Sequence, residues 1–428
     1  MRFATLALLC PALLLAQAST PASTPKERQN YVKSLSKEGQ AGIPKLLPYA
    51  QDPDIDVRRE VIRTMVTIGG PASLEPLTQA LADADEEILI RATDGLVNFY
   101  LPGYWERGLS GSMKRAGSKL MSRWTDTNDQ VVPPHVEPRA EIVAALGKVV
   151  SGNGPLPARA NAARAVGVLR GRAAIDDLVA GLASKDSKLL YEALVAFEKI
   201  RDRAAAPKIH YLLRDLDEKV QLAAFETVGI LKNPESVTPL REAYERARND
   251  KVRRAALSAL AQIPAEASRP LFTAQLDSAD ESLRAGAAEG LARLGRAEDG
   301  PLLHTKFEAE TKMRARLAQA FGAALLGEAA MGEFDPLRYL VNTLNQKAWK
   351  GIAEAYLIEL ARNEPIRAAI APVLPTATKQ EKISLSAILG RSGAAAGAPM
   401  LETLSKDPDP EVASEALRAI RTLRAVNP

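Results

Sequence analysis

Apolar residues recur along this chain at helical spacing, and the pattern itself recurs at a longer period. Val220, Ala224, Val228 and Leu231 occupy the first, fifth, ninth and twelfth positions of one such segment. That places them on one face of a helix of 3.6 residues per turn. The same shape is anchored at Val57, Ile88, Ala158, Leu189, Val220, Val252, Leu283, Met313, Trp349, Glu381 and Val412, with Trp349 and Glu381 the weakest matches. From Ala158 onward the steps are 31, 31, 32, 31, 30, 36, 32 and 31 residues.

A second feature keeps the same register. Pro44, Pro76, Pro207, Pro239, Pro270, Pro301, Pro336 and Pro399 each precede an anchor by 12 or 13 residues. Proline suits the first turn of a helix, where its missing N–H costs nothing. Each unit therefore reads as a proline-marked first helix, a turn and a second helix. Asp52, Asp54, Asp83, Asp85, Asp186, Asp215, Asp217, Asp250, Asp277, Asp280, Asp407 and Asp409 fall where second helices begin. A carboxylate there accepts from free N–H groups of the first turn and favours the positive helix end. The Asp-x-Asp spacing lacks the Gly and closing Glu of a calcium loop, so capping is its expected role.

The segments Asp52-Pro53-Asp54-Ile55-Asp56-Val57-Arg58-Arg59 and Asp250-Lys251-Val252-Arg253-Arg254-Ala255-Ala256-Leu257 resemble HEAT repeats, and the chain is similar to exported bacterial proteins built from them. The resemblance covers roughly residues 40 to 425 and departs from the Val-Arg pattern at Leu190, Gln221 and Ala413. It implies an all-α fold, a right-handed α-α superhelix of about eleven helix pairs, each about 31 residues long. It also implies a concave surface of second helices that binds a protein or peptide. One helix pair cannot bury its own apolar face, so each must lean on the next. Arg418, Arg421 and Arg424 make a polar cap at the last unit.

Composition agrees with packed helices: 46% of the 428 residues are hydrophobic but only 5% aromatic. The 56 basic and 52 acidic side chains interleave, and no single-sign stripe shows on the second helices. No nucleic-acid track is therefore expected.

The N-terminus reads as a signal peptide: Arg2, an apolar run from Phe3 to Leu15, then Ala16-Gln17-Ala18 before cleavage. This predicts a periplasmic or secreted protein. Cys10 follows Leu9, where lipidation would ask for a small residue, and cleavage after Ala18 leaves a mature chain without cysteine. Ser19 to Gln29 reads as a flexible leader, within a leader and first-helix start spanning 19–39. Repeats 1–2 follow over 40–100 and repeats 3–11 over 138–428.

Between them, Ile88 to Ala158 spans 70 residues where two steps need about 62, so 101–137 is an insertion or a decayed repeat. Phe99, Tyr100, Tyr104, Trp105 and Trp124 put five of the 20 aromatics into 26 positions. Arg107, Lys114, Arg115, Lys119 and Arg123 oppose only Glu106 between Tyr104 and Trp124, and Leu109, Met113, Leu120 and Trp124 share one helical face. Three readings stay open: packing against neighbouring repeats, a partner-protein site, or contact with an anionic membrane surface at about 1 kcal/mol per cation. The candidate partner-binding residues are Tyr100, Tyr104, Trp105, Arg107, Lys114, Arg115, Lys119, Arg123 and Trp124. Asp126 to Pro138 then reads as a stiff return loop.

Catalytic signals are sparse. His135, His210 and His304 are the three histidines, and the last two stand three repeats apart. The His-Glu pairs that ligate iron in HEAT-like hydroxylases do not occur, and no metal or cofactor is expected. Gly108-Leu109-Ser110-Gly111-Ser112 misses the nucleophile elbow at its fifth position. A non-enzymatic scaffold is therefore the leading expectation. Its groove candidates include Arg59, Glu60, Arg63, Asn161, Glu226, Arg254 and Glu289. A membrane adaptor is the second reading, and a lyase or hydroxylase, known among HEAT-like proteins, the third.

Overall fold

A computed structural model describes residues 24–104, 130–133 and 135–426, and among them the chain is helical without a strand. The chain divides into two compact units, Met1–Gly95 and Leu96–Pro428.

Second helices form at all eleven anchors. They are α1 (Ile55–Ile68), α2 (Glu86–Tyr100), α3 (Leu156–Val168), α4 (Ser187–Ile200), α5 (Glu218–Leu231) and α6 (Asp250–Ala261). The series continues with α7 (Glu281–Leu294), α8 (Met313–Leu325), α9 (Lys350–Leu360), α10 (Lys379–Ser392) and α11 (Pro410–Val426). Trp349 stands just outside, as the N-cap of α9.

First helices are shorter and mostly composite. A single 3-10 turn, such as Pro234–Ser236, leads into an α segment, here Val237–Arg246. Pro44, Pro207, Pro270, Pro301, Pro336 and Pro399 sit at the first or second position of their α segments, as the register predicts. Small residues close these turns. Ser73, Ser236 and Ser268 are buried there, and Ser73 donates to the Gly69 carbonyl at 2.8 Å.

The aspartates work as a two-step cap. Asp215 accepts from the Asp217 N–H at 2.8 Å, and Asp217 accepts from Lys219 and Val220 at the start of α5. The pairs Asp52/Asp54, Asp83/Asp85 and Asp407/Asp409 repeat the device. Two expected caps fall elsewhere. Asn249 caps α6, because Asp250 already lies inside the helix, and Asp277 pairs with Lys306 while Asp280 caps α7.

The arginine after the anchor ties each turn to the next. Arg58 donates to the Asp52 carbonyl and pairs with Asp83 at 3.0 Å, and Arg284 does the same with Ser278 and Glu310. Where the arginine is missing, Gln221 donates to the Leu213 carbonyl at 2.8 Å. Such part-buried pairs contribute on the order of 1 kcal/mol each, so they fix orientation more than they add stability.

Stacking is close because the facing positions are small. A Cβ at Gly167 in α3 would lie 2.7 Å from the Ala196 Cα of α4, and one at Gly390 in α10 would lie 2.8 Å from the Ala419 Cβ of α11. Phe197, Phe225, Phe272, Phe307 and Phe321 are the largest fully buried side chains of the core.

One expectation needs correction. The leader ends earlier than Gln29, because the chain is helical over Pro25–Ser34. Thr24 and Glu27 form a reciprocal capping box, and Arg28 pairs with Asp52 at 2.7 Å. The proposed signal peptide lies outside the described residues.

Candidate binding surface

Of the nine candidate residues of the insertion, Trp105, Arg107, Lys114, Arg115, Lys119, Arg123 and Trp124 lie outside the described residues. The other two turn inward. Tyr104 is 7% exposed, and the Tyr100 hydroxyl accepts from the Arg139 N–H at 3.1 Å, joining the two ends of the insertion. On the return, Val132 is buried and its N–H bonds the Val168 carbonyl at 2.9 Å, so this loop is docked onto the end of α3. Phe99 remains exposed, with its ring edge-on to Tyr100.

The groove candidates are mostly engaged with one another or with neighbours. Arg59 holds Asp85 at 2.8 Å, Arg63 holds Glu60 at 2.7 Å and Arg254 holds Asp280 at 2.5 Å. Glu226 stays exposed on α5 and Asn161 half-buried on α3.

Glu289 belongs to an ionic cluster that joins four second helices, α6 to α9. Arg293 of α7 is 9% exposed at its side chain. It pairs with Glu289 at 2.9 Å and with Glu359 of α9 at 3.0 Å, and it donates to the Ala261 carbonyl. Its guanidinium lies over the Phe321 ring of α8, which stacks on Tyr356 at 4.6 Å. The Tyr356 hydroxyl donates to Glu289 at 2.7 Å. Burial alone would draw the Arg293 proton off, but the two carboxylates outweigh it and hold the group charged. Burial, with Glu289 alongside, pushes the Tyr356 phenol well above its ordinary range. Every strong donor here has an acceptor, which is what makes a buried charge tolerable.

The cluster forms one wall of a cleft of about 660 Å³ at the C-terminal ends of the second helices of the larger unit. Arg203, Lys232, Gln262, Pro264, Arg293 and Glu359 line it, with Leu325 and Leu326 as apolar wall.

Beside it runs a feature that helix-face patterns miss. Arg170, Arg201 and Lys232, at 31-residue intervals, take left-handed backbone angles with φ of 51°, 57° and 53° just past α3, α4 and α5. Gly295 and Gly393 hold the same cap position after α7 and α10, and glycine is the usual occupant of such a cap. Basic residues recurring where glycine belongs are the sequence signal. All three are exposed, and none forms an ion pair among the described residues.

His210 is half-buried and bonds the Ser236 hydroxyl at 2.8 Å, and burial lowers its pKa from the ordinary value. His304 lies near Glu308 and Glu328. Among the described residues no three potential metal ligands gather in one place.

The family model for HEAT repeats matches residues 11–96, 175–260 and 239–322, more than half of the chain. The chain belongs to the HEAT-repeat family. A 108-residue stretch is 35% identical to deoxyhypusine hydroxylase of Gallus gallus, covering 24% of this chain and 36% of that protein. Among solved structures, the complex of CpcE and CpcF of phycocyanin lyase from Nostoc sp. PCC7120 aligns at 18% identity and a TM-score of 0.34, over 60% of this HEAT chain and 88% of that chain. Human deoxyhypusine hydroxylase aligns at 20% and 0.29, over 67% and 96%. The karyopherin Kap121p bound to Ste12p aligns at 11% and 0.43, over 95% and 56%.

Proposed function

We propose that this HEAT-repeat protein is an exported, non-catalytic scaffold that binds a protein or peptide on the second-helix side of its repeats. The observation that carries the reading is the cleft to which five consecutive repeats contribute, from Arg203 to Glu359. Successive units supply a charged, amide or apolar group each, a composition suited to an extended partner rather than a small reactive centre.

Two further points support binding over chemistry. The buried Arg293, Glu289 and Glu359 are mutually satisfied, which leaves no carboxylate or phenol of that cluster poised as acid or base. His135, His210 and His304 are followed by Val136, Tyr211 and Thr305, so no His-Glu pair occurs in the sequence. The likeness to deoxyhypusine hydroxylase keeps an enzyme as the alternative, and iron or another metal copurifying in stoichiometric amount would favour it.

The test is a crosslinking pull-down from the cell envelope with the full chain and with a variant lacking 101–137. Recovery of the same partner by both supports the repeat surface. Loss of the partner on deletion moves the site to the insertion. A second reading, peripheral attachment through the basic insertion, is checked by flotation with anionic vesicles at low and high salt. Export is checked by N-terminal sequencing of the mature chain, expected to begin at Ser19.

A further inference from the structure

Left-handed backbone is costly for residues with a Cβ, and three consecutive repeats bear that cost at the same place with a long cation each time. Glycine at the matching caps after α7 and α10 shows that this fold accepts the cheaper residue there. A helix C-terminus favours a nearby cation, which offsets part of the strain. That reason applies equally to the glycine-capped repeats, so it does not explain why the cations cluster after α3, α4 and α5.

Arg58, Arg254 and Arg284, cations near other turns, are each matched by a carboxylate of the next unit: Asp83, Asp280 and Glu310. Arg170, Arg201 and Lys232 form no ion pair among the described residues, although Glu359 of a later repeat acts on the Lys232 charge. Desolvation and the neighbouring Arg201 lower the Arg170 pKa. Desolvation likewise lowers that of Lys232 against the pull of Glu359, with Arg293, Arg362 and Arg201 adding to the decrease. The nearby Asp202 caps its own 3-10 turn and faces Arg172.

Packed helices stand about 8–10 Å apart, so cations repeated once per unit form a row of about that pitch. A peptide in polyproline II conformation has three residues per turn and advances about 3.1 Å per residue, so every third side chain returns to one face at about 9 Å and meets the row. We propose that Arg170, Arg201 and Lys232 form a docking stripe for an acidic peptide segment in polyproline II conformation, which runs on into the cleft beside Arg293. The cleft's apolar wall at Leu325 and Leu326 suits intervening peptide side chains. Glu359 in the cleft lining would repel a uniformly charged phosphate backbone, whereas a peptide can place a neutral or basic residue there. This deepens the scaffold reading and rests on it.

The experiment uses the full chain and a fluorescent 12-residue peptide with Glu at every third position and Gly-Ser between, followed by anisotropy at low salt. The comparison is the triple variant Arg170→Gly/Arg201→Gly/Lys232→Gly, and a triple Asn variant provides a second uncharged surface whose residue also tolerates positive φ. At least tenfold weaker binding by both variants, with an unchanged or raised Tm for the Gly variant, is the expected result. Undiminished binding overturns the proposal, as does a Gly variant whose loss of binding tracks a lowered Tm while the Asn variant binds normally. Equal or tighter binding of a single-stranded oligonucleotide, lost in the same variants, overturns the peptide assignment. If the peptide result fails but the triple variant still retrieves the envelope partner, this stripe is wrong and the scaffold reading stands.

Discussion

Arg293 and Glu359 lie 66 residues apart and meet at 3.0 Å, joining second helices two repeats apart across Phe321 of the helix between them. HEAT units ordinarily engage only their neighbours, so this pair extends coupling one unit further. Arg293→Ala leaves Glu289 and Glu359 without their cation and is expected to cost about 3 kcal/mol, since breaking a buried pair strands a charge. Glu359→Ala should cost clearly less, because Glu289 still neutralises Arg293. Denaturant unfolding of both variants checks the order, and equal costs would contradict the geometry.

The caps offer a cleaner local measurement. Ser187 first, then the backbone N–H groups of α5, hold the Asp217 carboxyl below its ordinary range. Asp217→Ala should lower stability by about 1 kcal/mol, and Asp217→Asn by much less, since Asn caps nearly as well. An Ala variant as stable as the parent would show that this turn does not need its cap.

His210 gives a pH signature. Burial sets its folded pKa below the ordinary 6.5, so the unfolded chain binds more protons in that window. Its contribution is therefore complete above pH 6.5 and declines as the pH falls. Thermal melts across this range should show the slope in the parent and a weaker one in His210→Gln. An identical slope in the variant would assign the effect to other groups.

The base of the insertion is testable through Tyr100. Tyr100→Phe removes the acceptor for the Arg139 N–H and should cost about 1 kcal/mol. Faster proteolytic cleavage within 130–139 is expected alongside, and unchanged cleavage would show that Val132 alone anchors the return.

The sequence was most readable where each unit repeats its own chemistry. Period, proline and aspartate located all eleven second helices, because a cap and an apolar face lie within one unit. Reading stopped where the cause lies between units. Nothing local to Arg293 announces Glu359, and the 3-10 turn ahead of each first helix depends on a small residue packing, as Ser73 does. Two signals lie outside the repeat pattern. The Thr24-Pro25-Lys26-Glu27 box starts a helix inside the expected leader, and Arg170, Arg201 and Lys232 lie just past helix ends rather than on a helix face.

Partner contact along the second helices is tested most directly by a photocrosslinking amino acid at matched positions. Glu226 and Ser258 occupy the same exposed register of α5 and α6, while Tyr211 and Thr238 are exposed on the adjoining first-helix segments. Crosslinks to one protein partner from Glu226 and Ser258, and none from Tyr211 and Thr238, are the expected result. The reverse pattern would contradict a binding surface built from second helices.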